Sequence, residues 1–167
     1  MPNTEASRLA ALKRTGLLDS DPEPLFDQLT QLGARFLHMP TCLISLVDED
    51  RQWFKSRVGL EVQSTPRDVA FCDHAIRGQS VMIVPDATKD PRFRDNKLVT
   101  EGIKIRFYAG APITYEGENI GTVCVIDYRP NTQFGDREVA VLKHLAEMTA
   151  GILRKNASER DNDELLL

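Results

Sequence analysis

Apolar positions change their spacing along the chain, and each change marks an element. Thr4 to Thr15 carries Leu9 and Leu12 on one side of a short amphipathic helix that stops at Gly16. Asp19-Ser20-Asp21-Pro22 reads as a turn rich in cap candidates. From Glu23 to His38, Leu25, Leu29, Leu32 and Phe36 recur at steps of four, three and four, which places them on one helical face. Pro40 ends that helix, and the period shifts to two. Thr41 to Val47 and Gln52 to Val58 flank the acidic turn Asp48-Glu49-Asp50 and predict a hairpin, with Trp53, Lys55 and Arg57 alternating with Phe54, Ser56 and Val58.

The middle of the chain is more broken. Glu61 to Asp68 predicts a loop, Phe71 to Arg77 a short helix ended by Gly78, and Val81 to Val84 a brief strand stopped at Pro85. Asp86 to Lys104 is polar, with one helical turn at Lys97 to Thr100. A second hairpin joins Arg106–Tyr115 to Asn119–Asp127 about Glu116-Gly117-Glu118. The last helix runs from Asp136 to about Arg154, with Val141, Leu145, Met148 and Ile152 again at four, three and four, and Leu142 and Leu153 widening the stripe on one side. Residues 1–156 make one domain, and the charged tail 157–167 is expected to be disordered. The order predicts an α+β fold: a central antiparallel sheet of five or six strands, terminal helices on one face, and a lid of short helix and loops on the other.

Composition narrows the function classes. A net charge of -4 with no Lys/Arg block disfavours nucleic acid and anionic membranes as partners. No apolar run reaches the roughly 18–20 residues that span a bilayer, and the N-terminus lacks a secretory pattern. Three cysteines, Cys42, Cys72 and Cys124, without CxxC spacing argue against a disulfide framework or a metal centre. A cytoplasmic protein is expected.

A series of short strings resembles one family. Leu17-Leu18-Asp19 through Phe26-Asp27 is followed by Ile44-Ser45-Leu46-Val47-Asp48, Arg51-Gln52-Trp53-Phe54-Lys55-Ser56 and Thr65-Pro66-Arg67. Phe71-Cys72-Asp73-His74-Ala75-Ile76, Val84-Pro85-Asp86-Ala87 and Asp90-Pro91-Arg92-Phe93 come next, then Arg106-Phe107-Tyr108-Ala109-Gly110-Ala111-Pro112 and Gly121-Thr122-Val123-Cys124-Val125-Ile126-Asp127. In this order they resemble the bacterial GAF domains attached to sensor histidine kinases and diguanylate cyclases. The resemblance implies a sensory module with a ligand pocket on the sheet face opposite the terminal helices. It further implies that those helices pair with a second subunit and pass a signal to a kinase or cyclase output, in cis or in trans.

The pocket candidates are Trp53, Lys55, Phe71, Cys72, His74, Asp86, Arg92, Arg106, Tyr108 and Asp127: apolar walls with a few polar groups able to hold a small cytosolic ligand. Against this stands a plainer reading, in which Trp53 and Tyr108 are ordinary sheet residues and Asp86 pairs with Arg92 or Arg106 to pin the lid. Cys72 reads as a buried structural thiol with His74 at a rim, and Cys124 and Cys42 as small apolar residues. The dimer candidates are Leu9, Leu12, Leu142, Met148 and Leu153. No cofactor is identified. Some GAF proteins are free methionine sulfoxide reductases, but their nucleophilic cysteine lies just before the strand matching Arg106–Tyr115, where residues 93–105 hold no cysteine. The same stretch lacks the Cys-His pair of bilin-binding members. Cyclic nucleotide binding is not indicated, because Asn96-Lys97 is misplaced for the family signature and Arg137 stands where Glu is expected. A non-catalytic sensor is the expectation, with a redox enzyme or a ligand-free interaction domain as its rivals.

Overall fold

The computed structural model describes residues 4–166. Its centre is a six-stranded antiparallel sheet made of Thr41–Val47 (β1), Arg51–Val58 (β2), Ser64–Pro66 (β3), Met82–Val84 (β4), Phe107–Tyr115 (β5) and Glu118–Asp127 (β6). The strand order is β3-β2-β1-β6-β5-β4. Two local hairpins therefore supply the inner strands, and the β1–β6 pairing, Thr41 opposite Ile126 through Leu46 opposite Gly121, joins them. The β5–β6 turn is two residues, Glu116 (φ 52°) and Gly117 (φ 78°). Both are left-handed, the conformation that matches strand twist in a tight hairpin and that glycine adopts at little cost. The loop predicted at 61–68 contains the edge strand β3, where Pro66 costs no interior hydrogen bond.

Strand alternation splits the sheet into two apolar faces. One carries Ile44, Leu46, Trp53, Phe107, Val123 and Val125 against three helices: Glu5–Arg14 (α1), Pro24–Phe36 (α2) and Asp136–Leu165 (α5). The other carries Leu43, Phe54, Tyr108, Cys124 and Ile126 under a lid formed by Phe71–Ala75 (α3), Lys97–Thr100 (α4) and the loops around them. Thr4 caps α1 through its side chain, accepting from the Ser7 amide. The Glu138 carboxylate, in the first turn of α5, reaches back to the Gly135 N–H.

α2 turns most of its apolar stripe outward, whereas α5 buries most of its own. α2 buries Phe26, Leu29, Thr30 and Gly33, and leaves Leu25, Leu32 and Phe36 exposed. α5 buries Leu142, Leu145, Ala146, Thr149, Ala150 and Leu153, with Met148 about half exposed. The small residues explain the choice. A methyl group added at Gly33 would sit 2.8 Å from Cys42 Sγ and 3.0 Å from Leu145 Cδ1, so the glycine lets α2 approach the sheet more closely than a bulkier residue allows. α5 also continues nine residues past 156, through the segment expected to be disordered. That segment lacks Gly and Pro, and Arg160 Nη2 donates to the Arg14 carbonyl oxygen at the end of α1 (3.2 Å).

Candidate functional site

The lid meets the sheet at a buried polar cluster set in an apolar surround. Cys72, in the first turn of α3, places Sγ 3.1 Å from Tyr108 Oη and 3.1 Å from Thr122 Oγ1. Cys124 follows Thr122 by two residues on the same face of β6, and Ser45 lies opposite Thr122. Ser45 Oγ is buried and finds no well-aligned hydrogen-bond partner among the described residues. Strand parity explains the gathering, since Ser45, Thr122, Cys124 and Tyr108 all fall on the lid face, with Ser45 directly opposite Thr122. Gly110 is essential to it. The Tyr108 ring lies back along its own strand over Gly110, where an added Cβ would collide with the Tyr108 hydroxyl and come 2.8 Å from Cζ.

Aromatic contacts hold the lid down. Phe71 stacks on Phe93 with centroids 4.1 Å apart and planes 8° apart, and touches Tyr108 at 5.2 Å. His74 meets Phe93 edge-on at 4.8 Å, and the Arg92 guanidinium lies 5.1 Å from the same ring. The cavity enclosed between lid and sheet is about 20 Å³, lined by Leu43, Phe54, Leu60, Phe71, Cys72, Leu98, Ile103, Ile105, Tyr108, Cys124 and Ile126, with Gln52 and Thr65 at one side. That is room for roughly one water-sized molecule.

Burial opposes ionisation of Cys72, but the polar side chains beside it, among them the Thr122 and Tyr108 hydroxyls, outweigh it and lower the thiol below its ordinary value. Cys124 goes the other way. The neighbouring Cys72 sulfur and its own burial push it well above the ordinary thiol range. Cys42, on the helix face, is held up at about 12 by burial. Burial and the Arg77 charge lower His74.

The ten pocket candidates do not form one cleft. Phe71, Cys72 and Tyr108 meet at the cluster, and His74 borders it through Phe93. Trp53 and Lys55 lie on the opposite face, under the helices. Lys55 is buried there, its Nζ 2.7 Å from Ser20 Oγ and 2.6 Å from Glu23, and 5.7 Å from the Phe26 ring centroid. A bulge between Ile44 and Ser45 breaks the simple alternation of the β1–β2 hairpin, so that Lys55 and Ser56 both reach the helix layer. Arg92 pairs with Asp90 at 2.8 Å. Asp86 accepts from the Thr88 amide, Arg106 donates to the Val99 carbonyl, and Asp127 accepts from the Tyr128 amide. The expected Asp86 pairing with Arg92 or Arg106 is replaced by these local bonds. The sequence reading missed Ser45 and Thr122, and treated Cys124 as merely apolar. Two hydroxyls inside otherwise β-branched, apolar strands were the available signal.

Of the dimer candidates, Leu12, Leu142 and Leu153 belong to the core of this chain, and Leu9 is half-buried against it. Met148 alone is exposed. It borders a groove of about 580 Å³ between α2 and α5, lined by Leu25, Gln28, Leu29, Leu32, Met148, Gly151, Ile152 and Lys155.

One further arrangement links the lid to the helix face. Arg67, just before α3, donates to Asp73 Oδ1 on α3 (2.9 Å), to Glu5 Oε1 on α1 (2.5 Å) and to the Asp48 and Glu49 carbonyls of the β1–β2 turn. Glu5 also takes two bonds of 2.9 Å from Arg8. Arg8 foremost, then Arg67, holds the Glu5 carboxyl down at about 2 against partial burial. Among the described residues, no cluster of three or more His, Cys, Asp or Glu is placed to hold a metal, and no helix is long and apolar enough to cross a membrane.

Comparison with known proteins agrees with this architecture. Residues 21–153 match the GAF domain model. A cyclic di-GMP phosphodiesterase of Pseudomonas aeruginosa is 42% identical over 164 residues, covering 98% of this chain and 28% of that protein; the chain thus spans little more than a quarter of this relative. Among solved structures, the GAF domain of an Acinetobacter phosphoenolpyruvate-protein phosphotransferase superposes with a TM-score of 0.65 at 21% identity, covering 95% of this chain and 97% of that one. The blue-light-absorbing PixJ GAF domain of Thermosynechococcus elongatus gives 0.68 at 15% identity, over 98% and 97% of the two chains. Free methionine-R-sulfoxide reductase of Neisseria meningitidis gives 0.65 at 17%, over 96% and 95%. At such identities these likenesses speak for the fold alone. The family model and the two-faced sheet agree: the chain belongs to the GAF domain family and is a sensory signalling module.

Proposed function

We propose that this chain is the cytoplasmic input module of a system that turns over cyclic di-GMP, sensing at the lid and passing the change to α1 and α5. The observation that carries the relay is the bridge Asp73–Arg67–Glu5–Arg8, which ties the lid helix to the first helix through charge-assisted hydrogen bonds. A shift of α3 moves Asp73, and the bridge transmits that shift to α1 without a new contact being made. α5 is the outgoing element. Its 30 residues extend about 45 Å, and its last turns stand clear of the sheet.

The output's identity is supported by the 42% identical relative, whose name couples it to cyclic di-GMP hydrolysis. This favours a cyclic di-GMP enzyme over a histidine kinase as the partner, in cis or in trans. The domain itself is read as non-catalytic. Purified chain is expected neither to hydrolyse cyclic di-GMP nor to reduce methionine sulfoxide, and turnover of either would overturn that reading. The 20 Å³ cavity suits a stimulus of a few atoms; a larger ligand needs the lid displaced.

The relay is tested by hydrogen exchange on Arg67→Gln and Asp73→Asn. Both variants are expected to speed exchange of α1 amides by about tenfold while those of β1 and β6 stay unchanged. Unchanged α1 exchange in both variants would sink the bridge as a relay.

A further inference from the structure

Two thiols and three hydroxyls share the interior between lid and sheet, in a domain whose sensing role so far has no stimulus. Cys72 and Cys124 line the same 20 Å³ cavity, and Thr122, two residues before Cys124 on the same strand face, touches Cys72 Sγ. Tyr108 and Thr122 each approach that sulfur at 3.1 Å. Ser45 Oγ, on the same sheet face directly opposite Thr122, is buried without a hydrogen-bond partner among the described residues. A buried hydroxyl left unpaired costs on the order of 1–3 kcal/mol, a cost recovered if the sulfur gains charge or an oxygen atom that can accept from it.

We infer that Cys72 and Cys124 form a peroxide-oxidisable thiol pair, in which Cys72 is the sulfur attacked first and Cys124 closes the disulfide. The Cys72 sulfur attacks one oxygen of hydrogen peroxide. An S–O bond forms, the O–O bond breaks, and the departing hydroxide takes a proton to leave as water. Cys124 sulfur then attacks the sulfenic sulfur, the S–O bond breaks, and a second water leaves with the Cys124 proton. Two thiols lose two electrons and two protons, and peroxide is reduced to two waters. The hydroxyls of Tyr108, Thr122 and Ser45 stabilise the developing negative charge and hold the sulfenic oxygen.

A fully buried thiol is ordinarily inert. The cavity is what changes this, because it sets a water-sized space against both sulfur-bearing residues, which a small shift of the lid widens enough for peroxide. Its outer wall is Leu60, Leu98 and Ile103, half-buried or exposed side chains of the lid, whose small displacement opens a way in. Cys42 has neither feature. It lies on the opposite face against Gly33, with its thiol held up by burial. The lowered Cys72 and raised Cys124 thiols agree with their assigned order of attack.

As chemistry the pair stands apart from any output. As a signal it rests on the proposed relay, since a bond from Cys72 to β6 repositions α3 and with it Asp73. The test is intact-mass and peptide analysis of the purified chain after dilute hydrogen peroxide. A loss of about 2 Da, with Cys72 joined to Cys124 and Cys42 still free to alkylation, is the expected result. Cys124→Ser is expected to stall at a gain of about 16 Da, trapped at Cys72 by dimedone. Tyr108→Phe, which keeps the ring and removes one donor, is expected to slow the oxidation by about tenfold. Three free thiols under peroxide that oxidises the urea-unfolded chain, or cross-links involving Cys42, would overturn the pair. A Cys72–Cys124 disulfide that leaves α1 exchange unchanged keeps the thiol chemistry and overturns the relay, which separates the two failures.

Discussion

At the scale of single residues, two positions decide what each face of the sheet does. On the lid face, Gly110 gives Tyr108 the space to reach Cys72. Gly110→Ala forces the ring off its strand, because the new Cβ would lie 2.8 Å from Cζ. The expected cost is about 1–3 kcal/mol, typical of overpacking in a core, read as a lower chemical-denaturation midpoint. The altered Tyr108 fluorescence environment should accompany it, and an unchanged midpoint would mean that the ring has another resting place. On the helix face, Lys55 holds the 20–23 turn against β2 with Ser20 Oγ, the Asp21 carbonyl and Glu23 as acceptors. Lys55→Met keeps the stem packed on Phe26 but strands those acceptors. It is expected to cost about 1–3 kcal/mol by thermal or urea melts. A neutral result would show that water replaces the ammonium.

At the scale of elements, α1 depends on charge more than on its modest apolar face. Glu5 binds Arg8 within the helix and Arg67 across to the lid, and its carboxyl is depressed to about 2 from an ordinary 4.5. A depressed carboxyl stabilises the fold fully above its unfolded value, and that stability is lost as pH falls through the folded one. The bridge is therefore intact above about pH 4.5 and weakens from there toward pH 2. Because the Glu5 side chain is about half exposed, the contribution is screened to about 1 kcal/mol or less. Melting temperatures of wild type and Glu5→Gln should differ at pH 6 and converge toward pH 2; a gap that stays constant with pH would remove Glu5 ionisation from the account. Element order and both hairpins were legible in sequence, because period-two runs flanked by Asp48-Glu49-Asp50 and Glu116-Gly117 admit little else. The buried side of α5 was largely legible, since Leu142, Leu145 and Leu153 of its stripe lie in the core, but that of α2 was not. Of the α2 stripe Leu25, Leu29, Leu32 and Phe36 only Leu29 is buried, because close packing selects the side with Gly33. Nor did spacing show that the face shared by Trp53 and Lys55 meets the helices rather than the lid.

At the scale of the whole molecule, the outward apolar residues become informative. Leu25, Leu32 and Phe36 on α2, and Met148 on α5, are large apolar side chains that the fold leaves outside. Monomers seldom expose contiguous apolar patches of this kind unless something covers them. The groove between the helices is lined largely by apolar side chains, and a two-fold related copy would set the same surface against it, as an isologous contact requires. A second copy of this chain is accordingly the proposed occupant. It would also bring two α5 helices together just where they leave the sheet, which is how a change at one lid could reach an output. Sedimentation over a range of concentrations should reveal a reversible dimer, and Leu32→Glu or Met148→Glu should weaken it by about tenfold or more, roughly 1.4 kcal/mol, without lowering the melting temperature. Leu153→Glu cannot serve as the probe, since Leu153 lies in the core and its substitution tests folding instead. A wild-type chain that stays monomeric at every concentration, or a dimer indifferent to both charges, would mean that this groove is covered by a different partner and that α5 carries its signal alone.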